Sequence, residues 1–358
     1  MLTEEEIAKL KYYGENYKNI SPKCPVLIPS YKNRADSRIR HLETVSDNKI
    51  MIFVWDWDYT ESGYDKIQGP NIEYVLVPKQ DWRCVQRTRV WMCNYMKEHH
   101  PEIDHYLMID DDVGDGKMTN FTDTRKPGNL TLKLPLKSLL GILEDLHVNH
   151  SYHTVSAFDL VGFAIGNPGE LSSTTAKGYQ AFCIQNGLQP WRDVANCSED
   201  NLIWYDFQKQ GVKYNIFKPF KIEFNTKIKT TISDELTQVR NWIYNIRVMK
   251  SACTIRPSGF GWVCNVTFNL KKENNNPQWP LTKAMLDKYF TNWEDINNEL
   301  YMDKEILTNI AKDMKYIANL ELEKKNKNKE NKLKEKENKK KDKENNELVK
   351  SELDGFFE

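Results

Sequence analysis

Three consecutive carboxylates follow an apolar run at residues 106–112, Tyr-Leu-Met-Ile-Asp-Asp-Asp. The apolar residues predict a buried strand, so Asp110, Asp111 and Asp112 would stand at its C-terminal end. Carboxylate oxygens suit Mn²⁺ or Mg²⁺, and these ions often complete their coordination with substrate phosphates and water. The run therefore indicates a metal site that faces a phosphorylated substrate, with a polar strand-to-loop junction as the alternative.

A second group of polar residues follows two other apolar runs upstream. After the first run, a hydroxyl, a cation and backbone groups would grip a nucleotide base and phosphate. After the second, acids would accept hydrogen bonds from a base or a ribose, although a solvated loop explains those acids equally well. The residues of this donor-binding group are Pro29, Ser30, Arg34, Asp56 and Glu61.

Arg87 and Arg89 lie near the start of the helix predicted before the aspartates. Guanidinium groups fork onto phosphate oxygens, so one or both would face a diphosphate. The alternative is that these side chains simply extend along the helix surface to water.

The elements that position these residues alternate between strand and helix. A capping box at Thr3 and Glu6 begins the first helix, and the later helices are predicted at 34–42, 85–99, 134–147, 199–211, 233–252 and 281–318. The strands are predicted at 26–29, 50–55, 72–77, 106–109, 154–160 and 179–184, with a polar loop at 114–129. This order predicts an α/β fold with a mainly parallel sheet and helices on both faces, which binds ligands at the C-terminal ends of its strands.

The 358-residue chain is expected to have five regions. They are an N-terminal helix at 1–22, a catalytic domain at 23–230, a helical acceptor-side region at 231–320, a linker at 321–350 and an aromatic peptide at 351–358. The linker holds twelve lysines and eight acidic residues. Alternating charges at helical spacing would suit a solvated single helix, but because the segment has almost nothing to bury in a core, we predict a flexible charged tail.

Composition excludes several classes of protein. Lys and Arg balance Asp and Glu at 51 each, so no global basic field points to nucleic acid. Seven cysteines without a Cys-x-x-Cys pair indicate a reduced protein. No signal peptide and no run of 18 apolar residues is found, so we expect no membrane contact and a cytoplasmic location, in a host cell if the protein is viral.

The order of these motifs resembles that of GT-A glycosyltransferases. The pattern is strand-Pro-Ser-x-x-x-Arg, a strand followed by an acid and Tyr64, a helix that opens with Gln-Arg-Thr-Arg, and the Asp110–Asp112 run. More particularly, it is similar to the TET/JBP-associated glycosyltransferases of bacteriophages and kinetoplastids, which are thought to glycosylate hydroxymethyl-pyrimidines in DNA. The resemblance covers about residues 24–225 and is most specific at 106–112.

The resemblance implies a nucleoside-diphosphate sugar donor, with UDP-sugar as the expected form. Asp110 and Asp112 would touch the ribose and hold Mn²⁺ or Mg²⁺, and Asp111 is expected to be a further donor-binding residue. Two departures stand out, because Val90 occupies a position where Asn is expected after Arg89, and no His follows His153 to serve as a further metal ligand.

Inverting GT-A enzymes also place an acid pair at a helix start, and Glu199 and Asp200 match that position. The resemblance implies Asp200 as the base that deprotonates the acceptor hydroxyl, with Glu199 next. Stabilisation of the helix N-terminus explains the same acids without catalysis.

Aromatic residues near predicted loops are weaker candidates. Trp191, Arg192 and Trp262 are acceptor-side candidates that would stack on a base or a sugar, with burial in the core as the alternative. His147, His150 and His153 do not share one helical face, so we interpret them as surface histidines rather than zinc ligands.

Leu353, Phe356 and Phe357 resemble the short peptides that bind a DNA sliding clamp. A tether before such a peptide would raise the local concentration of the enzyme on DNA. A frayed terminus is the alternative.

Together these features predict a metal-dependent, inverting glycosyltransferase that acts on a hydroxymethylated pyrimidine in DNA. Three alternatives remain open at this stage: a polysaccharide, lipid or protein acceptor, a nucleotidyltransferase, and a non-catalytic binder tethered to the clamp.

Overall fold

A computed structural model of the chain describes residues 2–30, 45–78, 85–119, 131–150, 154–160, 171–173, 178, 181–193, 199–224, 235–258, 261–266, 273–295 and 302–354. The chain forms two compact units, Met1–Met249 and Lys250–Glu358. Residues 231–249, which the sequence assigned to the C-terminal region, belong to the first unit.

Four parallel strands form one half of a large sheet, in the order β3, β2, β1, β4. Their bounds are β1 Val26–Pro29, β2 Ile50–Trp55, β3 Ile72–Val77 and β4 His105–Ile109. Every residue of β1 and β2 is buried, as expected for strands covered on both faces. The predicted strands are thus confirmed here almost to the residue.

The other half of the sheet is mixed rather than parallel. Next to β4 the order continues β9, β7, β10, β5, β6, and β8 pairs with β10 beside this path. The bounds are β5 Val113–Thr119, β6 Thr131–Leu134, β7 Val155–Leu160, β8 Ser172–Ser173, β9 Ala181–Gln185 and β10 Asn215–Phe224. Strand β9 runs antiparallel to both β4 and β7. The α/β class is confirmed, and the mainly parallel pattern holds for the half that carries the aspartates.

The polar loop predicted at 114–129 is wrong at its start, because Val113–Thr119 forms β5. Gly116 and Met118 are buried in β5, and the strand pairs with β10 on one side and β6 on the other. Gly116 allows close approach, since a Cβ there would lie 2.1 Å from the carbonyl oxygen of Lys221.

Helices cover both faces of the sheet in the first unit. Their bounds are α1 Glu4–Asn16, α2 Asp56–Glu61, α3 Val85–His99, α4 Leu136–His150, α5 Glu199–Gln210 and α6 Glu235–Met249. The predicted capping box of Thr3 and Glu6 begins α1. One core cluster joins alternate residues of β1 and β2 to α1 and α4. Strand residues outside this cluster pack on other helices. Phe53 of β2 packs against Trp91 of α3, and Phe182 of β9 packs against Trp204 of α5.

The second unit combines a hairpin with two helices. The hairpin strands are β11 Cys253–Ser258 and β12 Gly261–Val266, and the helices are α7 Trp279–Tyr289 and α8 Lys304–Asp354. The Gln278 side-chain amide accepts a hydrogen bond from the N–H of Ile255 and donates one to its carbonyl. These two bonds join the start of α7 to β11. None of the described helices has both the length and the apolar character needed to cross a bilayer.

The flexible linker predicted at 321–350 is wrong, since these residues continue α8 as a helix. The described side chains from Leu322 to Lys339 are all exposed, so this part of the helix packs on no core. Lys, Glu and Leu are good helix formers, and charges of opposite sign three or four residues apart add local support.

Candidate functional site

The acidic run lies where three parallel strands end together. Strand β1 is followed by Ser30, β2 by Asp56 and β4 by Asp110. The register places Pro29 opposite Phe53 and Leu27 opposite Met108, so these C-terminal ends share one edge. The sequence therefore brings Ser30, Asp56 and the three aspartates to the same edge of the sheet.

Asp111 accepts a hydrogen bond from Ser30, the residue that follows β1. The Ser30 hydroxyl donates to Asp111 Oδ2 at 2.7 Å and lies 2.8 Å from the Tyr64 hydroxyl. The backbone N–H of Ser30 donates to the Phe53 carbonyl at 3.0 Å. The side chains of Ser30, Tyr64 and Asp111 are all buried. Their hydrogen bonds therefore hold the end of β4 in place from within the protein.

Asp110 forms an ion pair with Arg89. The guanidinium is only 1 % exposed, and its carbon lies 5.3 Å from the ring centroids of both Phe182 and Trp191. Asp110 keeps 22 % of its side chain exposed. The Arg89 guanidinium thus contacts a carboxylate in the interior, and the expected contact with a diphosphate stays a prediction.

The three carboxylates of the run point to different surroundings. Asp111 is turned to Ser30, Asp110 is paired with Arg89, and Asp112 is partly exposed. They do not bring three ligand atoms together within the part of the chain that the structure describes. A cation here would need oxygens from a substrate and from water, as Mg²⁺ and Mn²⁺ sites commonly do.

Arg87 and Arg192, two further predicted basic residues, also have acidic neighbours. Arg87 Nε lies 2.9 Å from Asp193, and the Arg192 guanidinium binds Asp206 with two nitrogens. Trp191 is 2 % exposed, so its place in the core does not favour the expected stacking on an acceptor. Its ring packs edge to face on Phe182, which explains the burial.

The remaining predicted residues are placed to different degrees. Asp56 and Glu61 are exposed in α2, and Pro29 is buried at the end of β1. Glu199 and Asp200 occupy the first turn of α5, as expected, and Trp262 lies on β12, although their side chains are outside the described part. Leu353 is in the last turn of α8, but its side chain is not among those that the structure describes. Arg34, Phe356 and Phe357 lie outside the described residues.

A second group of potential ligands lies at the opposite edge of the sheet. One ligand atom each from Cys24, His105 and Glu144 lies within 4.8 Å of the others, a potential metal-binding triad. Cys24 precedes β1, His105 begins β4 and Glu144 lies on α4. Sequence reasoning missed this group because its members are separated by dozens of residues and share no local motif.

Hydrogen bonds hold the triad in place. Glu144 accepts from the backbone N–H of Lys23 at 2.6 Å and of Cys24 at 3.0 Å, and its Oε1 lies 3.1 Å from His105 Nε2. Hydrogen bonds to Cys24 and Glu144 raise the pKa of His105 to about 10. Burial raises the pKa of Glu144, but hydrogen bonds from His105 and Lys23 outweigh burial and leave it below its usual value.

His147 lies beside this group, and its predicted position on the surface is wrong. Its side chain is buried on α4, and Nδ1 lies 2.9 Å from the Ser156 hydroxyl. The His105 and His147 ring centroids are 5.9 Å apart. A cavity of about 870 Å³ opens at this edge and is lined in part by Tyr13, Cys24, His105 and Glu144.

Searches with this sequence match no protein-family model and no curated protein. The function must therefore follow from the residues of the two groups themselves. Those residues are acids and a hydroxyl at the C-terminal edge of a parallel sheet, and a thiol, an imidazole and a carboxylate at the N-terminal edge.

Proposed function

We propose that this protein is a metal-dependent glycosyltransferase that moves a sugar from a nucleoside-diphosphate sugar, with UDP-sugar as the expected donor, to an acceptor hydroxyl. The observation that carries the proposal is the position of Asp110–Asp112 at the C-terminal end of β4, beside the ends of β1 and β2. Nucleotides commonly bind at this edge of open α/β sheets.

The described residues suit a cation of the Mn²⁺ or Mg²⁺ type. Asp112 is partly exposed at the end of β4. The hydrogen bond from Ser30 to Asp111 would hold the neighbouring backbone in position for a ligand. A bound ion would supply positive charge to the diphosphate as it leaves. Asp112 would be its main protein ligand, and Asp110 would share its charge between the ion and Arg89.

Arg89 has a positioning role in this account. Its guanidinium lies beside the rings of Phe182 and Trp191 and forms an ion pair with Asp110 at the strand tip. It therefore sets the direction of the Asp110 carboxylate and lowers the negative charge of the run before the donor arrives.

The acid pair at the start of α5 supplies the general base. Asp200, or Glu199 next to it, would take the proton of the acceptor hydroxyl as the new bond forms between that oxygen and the anomeric carbon and the bond to the diphosphate breaks. Both acids lie in the first helical turn, where the helix dipole stabilises the ionised form that a base requires.

The proposed acceptor is a hydroxymethylated pyrimidine in DNA, supported by the sequence resemblance. Such a base must leave the duplex before its hydroxyl can reach the sugar. The proposed clamp contact of Leu353, Phe356 and Phe357 would follow the exposed helix α8, so the tether is a rod rather than a flexible chain. A polysaccharide, lipid or protein acceptor would use the same donor site.

The test is an assay of UDP release by the full-length protein with Mn²⁺ and a panel of UDP-sugars, with and without hydroxymethylated DNA. We expect DNA-dependent release that Asp112→Asn abolishes. The matched control is Asp104→Asn, which changes an exposed Asp just before the opposite end of β4 and should keep full activity. UDP release that needs no DNA would contradict the proposed acceptor. Release of pyrophosphate from a nucleoside triphosphate would contradict the proposed reaction.

A further inference from the structure

We propose that Cys24, His105 and Glu144 form a zinc site at the N-terminal edge of the sheet, with the Cys24 thiolate, one His105 nitrogen and one Glu144 oxygen as ligands. The three atoms lie within 4.8 Å of one another. Two ligands about 2.1 Å from one tetrahedral ion are roughly 3.4 Å apart, close to the 3.1 Å between His105 Nε2 and Glu144 Oε1.

The chemistry of the donor set selects the ion. A thiolate is soft, an imidazole is intermediate and a carboxylate is hard, a mixture that suits Zn²⁺ and disfavours Mg²⁺ or Mn²⁺. Cys24 and His105 each lose a proton when they bind the ion. The fourth position would be taken by a water molecule from the adjoining 870 Å³ cavity, which all three residues line.

The arrangement differs from a nucleophile with its base and an orienting acid. In such a relay the thiol and the carboxylate contact opposite nitrogens of the imidazole. Here one nitrogen of His105 lies within 4.8 Å of both the thiol and the carboxylate. Three groups that converge on one point fit a shared cation better than a chain of proton transfers.

The carboxylate is held ready for this role. The backbone N–H of Lys23 donates to Glu144 Oε2, that of Cys24 donates to Oε1, and α4 carries the residue. An ion would therefore join the beginnings of β1 and β4 to α4. This ion would add to the hydrogen bonds and the apolar packing through which the three elements already meet.

The zinc site is separate from the proposed donor site. His105 and Asp110 stand at opposite ends of β4, five residues apart along the chain, which corresponds to about 16 Å in an extended strand. An ion at the triad cannot touch a diphosphate at the aspartates. The inference therefore stands whether or not the protein transfers sugars.

The test measures zinc in the full-length protein after dialysis against Zn²⁺ and then against metal-free buffer. We expect one equivalent in the wild type and in Cys183→Ser, which changes a neighbouring buried thiol outside the triad. Cys24→Ser and His105→Gln should lose that equivalent, and Asp112→Asn should keep it. Zinc retained by both triad variants, or absent from the wild type, would overturn the proposal in favour of a purely hydrogen-bonded cluster.

A second measurement does not depend on how the variants fold. Co²⁺ added to the wild type should give the thiolate-to-cobalt charge-transfer absorption. Added Zn²⁺ should displace the Co²⁺ and remove that absorption. With Zn²⁺ at 100 times its dissociation constant, the unfolding equilibrium constant of the wild type should fall about 100-fold. A Co²⁺ spectrum without the thiolate band, or no Zn²⁺ effect on unfolding, would overturn the proposal.

Discussion

At the scale of residues, neighbouring aspartates serve different purposes. Asp111 is 2 % exposed and accepts from Ser30, whereas Asp112 is partly open to solvent. A substitution at Asp111 should therefore act mainly on stability, and one at Asp112 mainly on ligand binding. The same contrast separates Arg89, which is buried, from Arg87, whose partner Asp193 is 66 % exposed.

Ser30→Ala removes a hydrogen-bond donor from a buried carboxylate. We expect a loss of about 1–3 kcal/mol in the free energy of unfolding, measured by urea denaturation, because such a group is costly to leave underbonded. Tyr64→Phe should cost about 1 kcal/mol, since it removes one hydrogen bond to the hydroxyl of Ser30. Equal stability of Ser30→Ala and the wild type would contradict the described network.

Arg89→Met should destabilise the protein by about 3 kcal/mol, since it removes one partner of a largely buried ion pair. The matched control, Arg87→Met, breaks a pair with an exposed carboxylate and should cost less than about 1 kcal/mol. Chemical denaturation of both variants measures the difference. Similar costs for the two would argue against the buried position of Arg89.

Residue chemistry was predictable where it depended on neighbours in the chain. The Asp run at the end of a strand, and Ser30 after another, could be predicted because strand ends are local features. The burial of Trp191 and the meeting of Cys24, His105 and Glu144 depend on contacts between distant segments. No spacing in the sequence encodes those contacts.

At the scale of elements, fully buried strands were the most predictable. β1 and β2, in which every residue is buried, are continuous apolar runs with clear boundaries. β5 was missed because Gly114, Asp115, Gly116 and Lys117 have low strand propensity, and its pairing with β10 overrides that local preference. The sequence favoured a coil over the helical extension of α8, because a charged segment without a core is compatible with either state.

Gly116→Ala tests the pairing of β5 with β10. The added Cβ would lie 2.1 Å from the backbone oxygen of Lys221, so the strands must separate, and we expect a loss of more than about 2 kcal/mol. Gly14→Ala is the control, because its Cβ meets the flexible end of Met118 at 3.0 Å and Ala favours the helix. Thermal unfolding should show a lower midpoint for Gly116→Ala alone. An unchanged midpoint would contradict the described register.

At the scale of the whole molecule, the chain combines a catalytic candidate in the first unit with a long exposed helix in the second. Inward residues of α8, including Leu307, Ile310 and Met314, are buried, but the described side chains beyond Glu321 are exposed. The charged half of α8 is therefore available for a partner and is not needed for the core.

Truncation after Leu322 should leave the thermal midpoint within about 2 °C of that of the full-length chain, since exposed side chains contribute little to stability. Far-ultraviolet circular dichroism should show a loss of helix equal to the removed segment. Binding to a sliding clamp, if present in the full chain, should be lost. A large fall in the midpoint would show that the charged half packs on the folded body.

The most direct test of the central claim is calorimetric titration of UDP into the full-length protein with and without Mn²⁺. We predict that UDP binding requires Mn²⁺, that Asp112→Asn weakens it at least about tenfold, or 1.4 kcal/mol, and that Asp104→Asn and Cys24→Ser leave it unchanged. Binding of UDP with the same affinity by Asp112→Asn, or no binding by the wild type in the presence of Mn²⁺, would contradict the claim that the acidic end of β4 holds a cation against a nucleotide diphosphate.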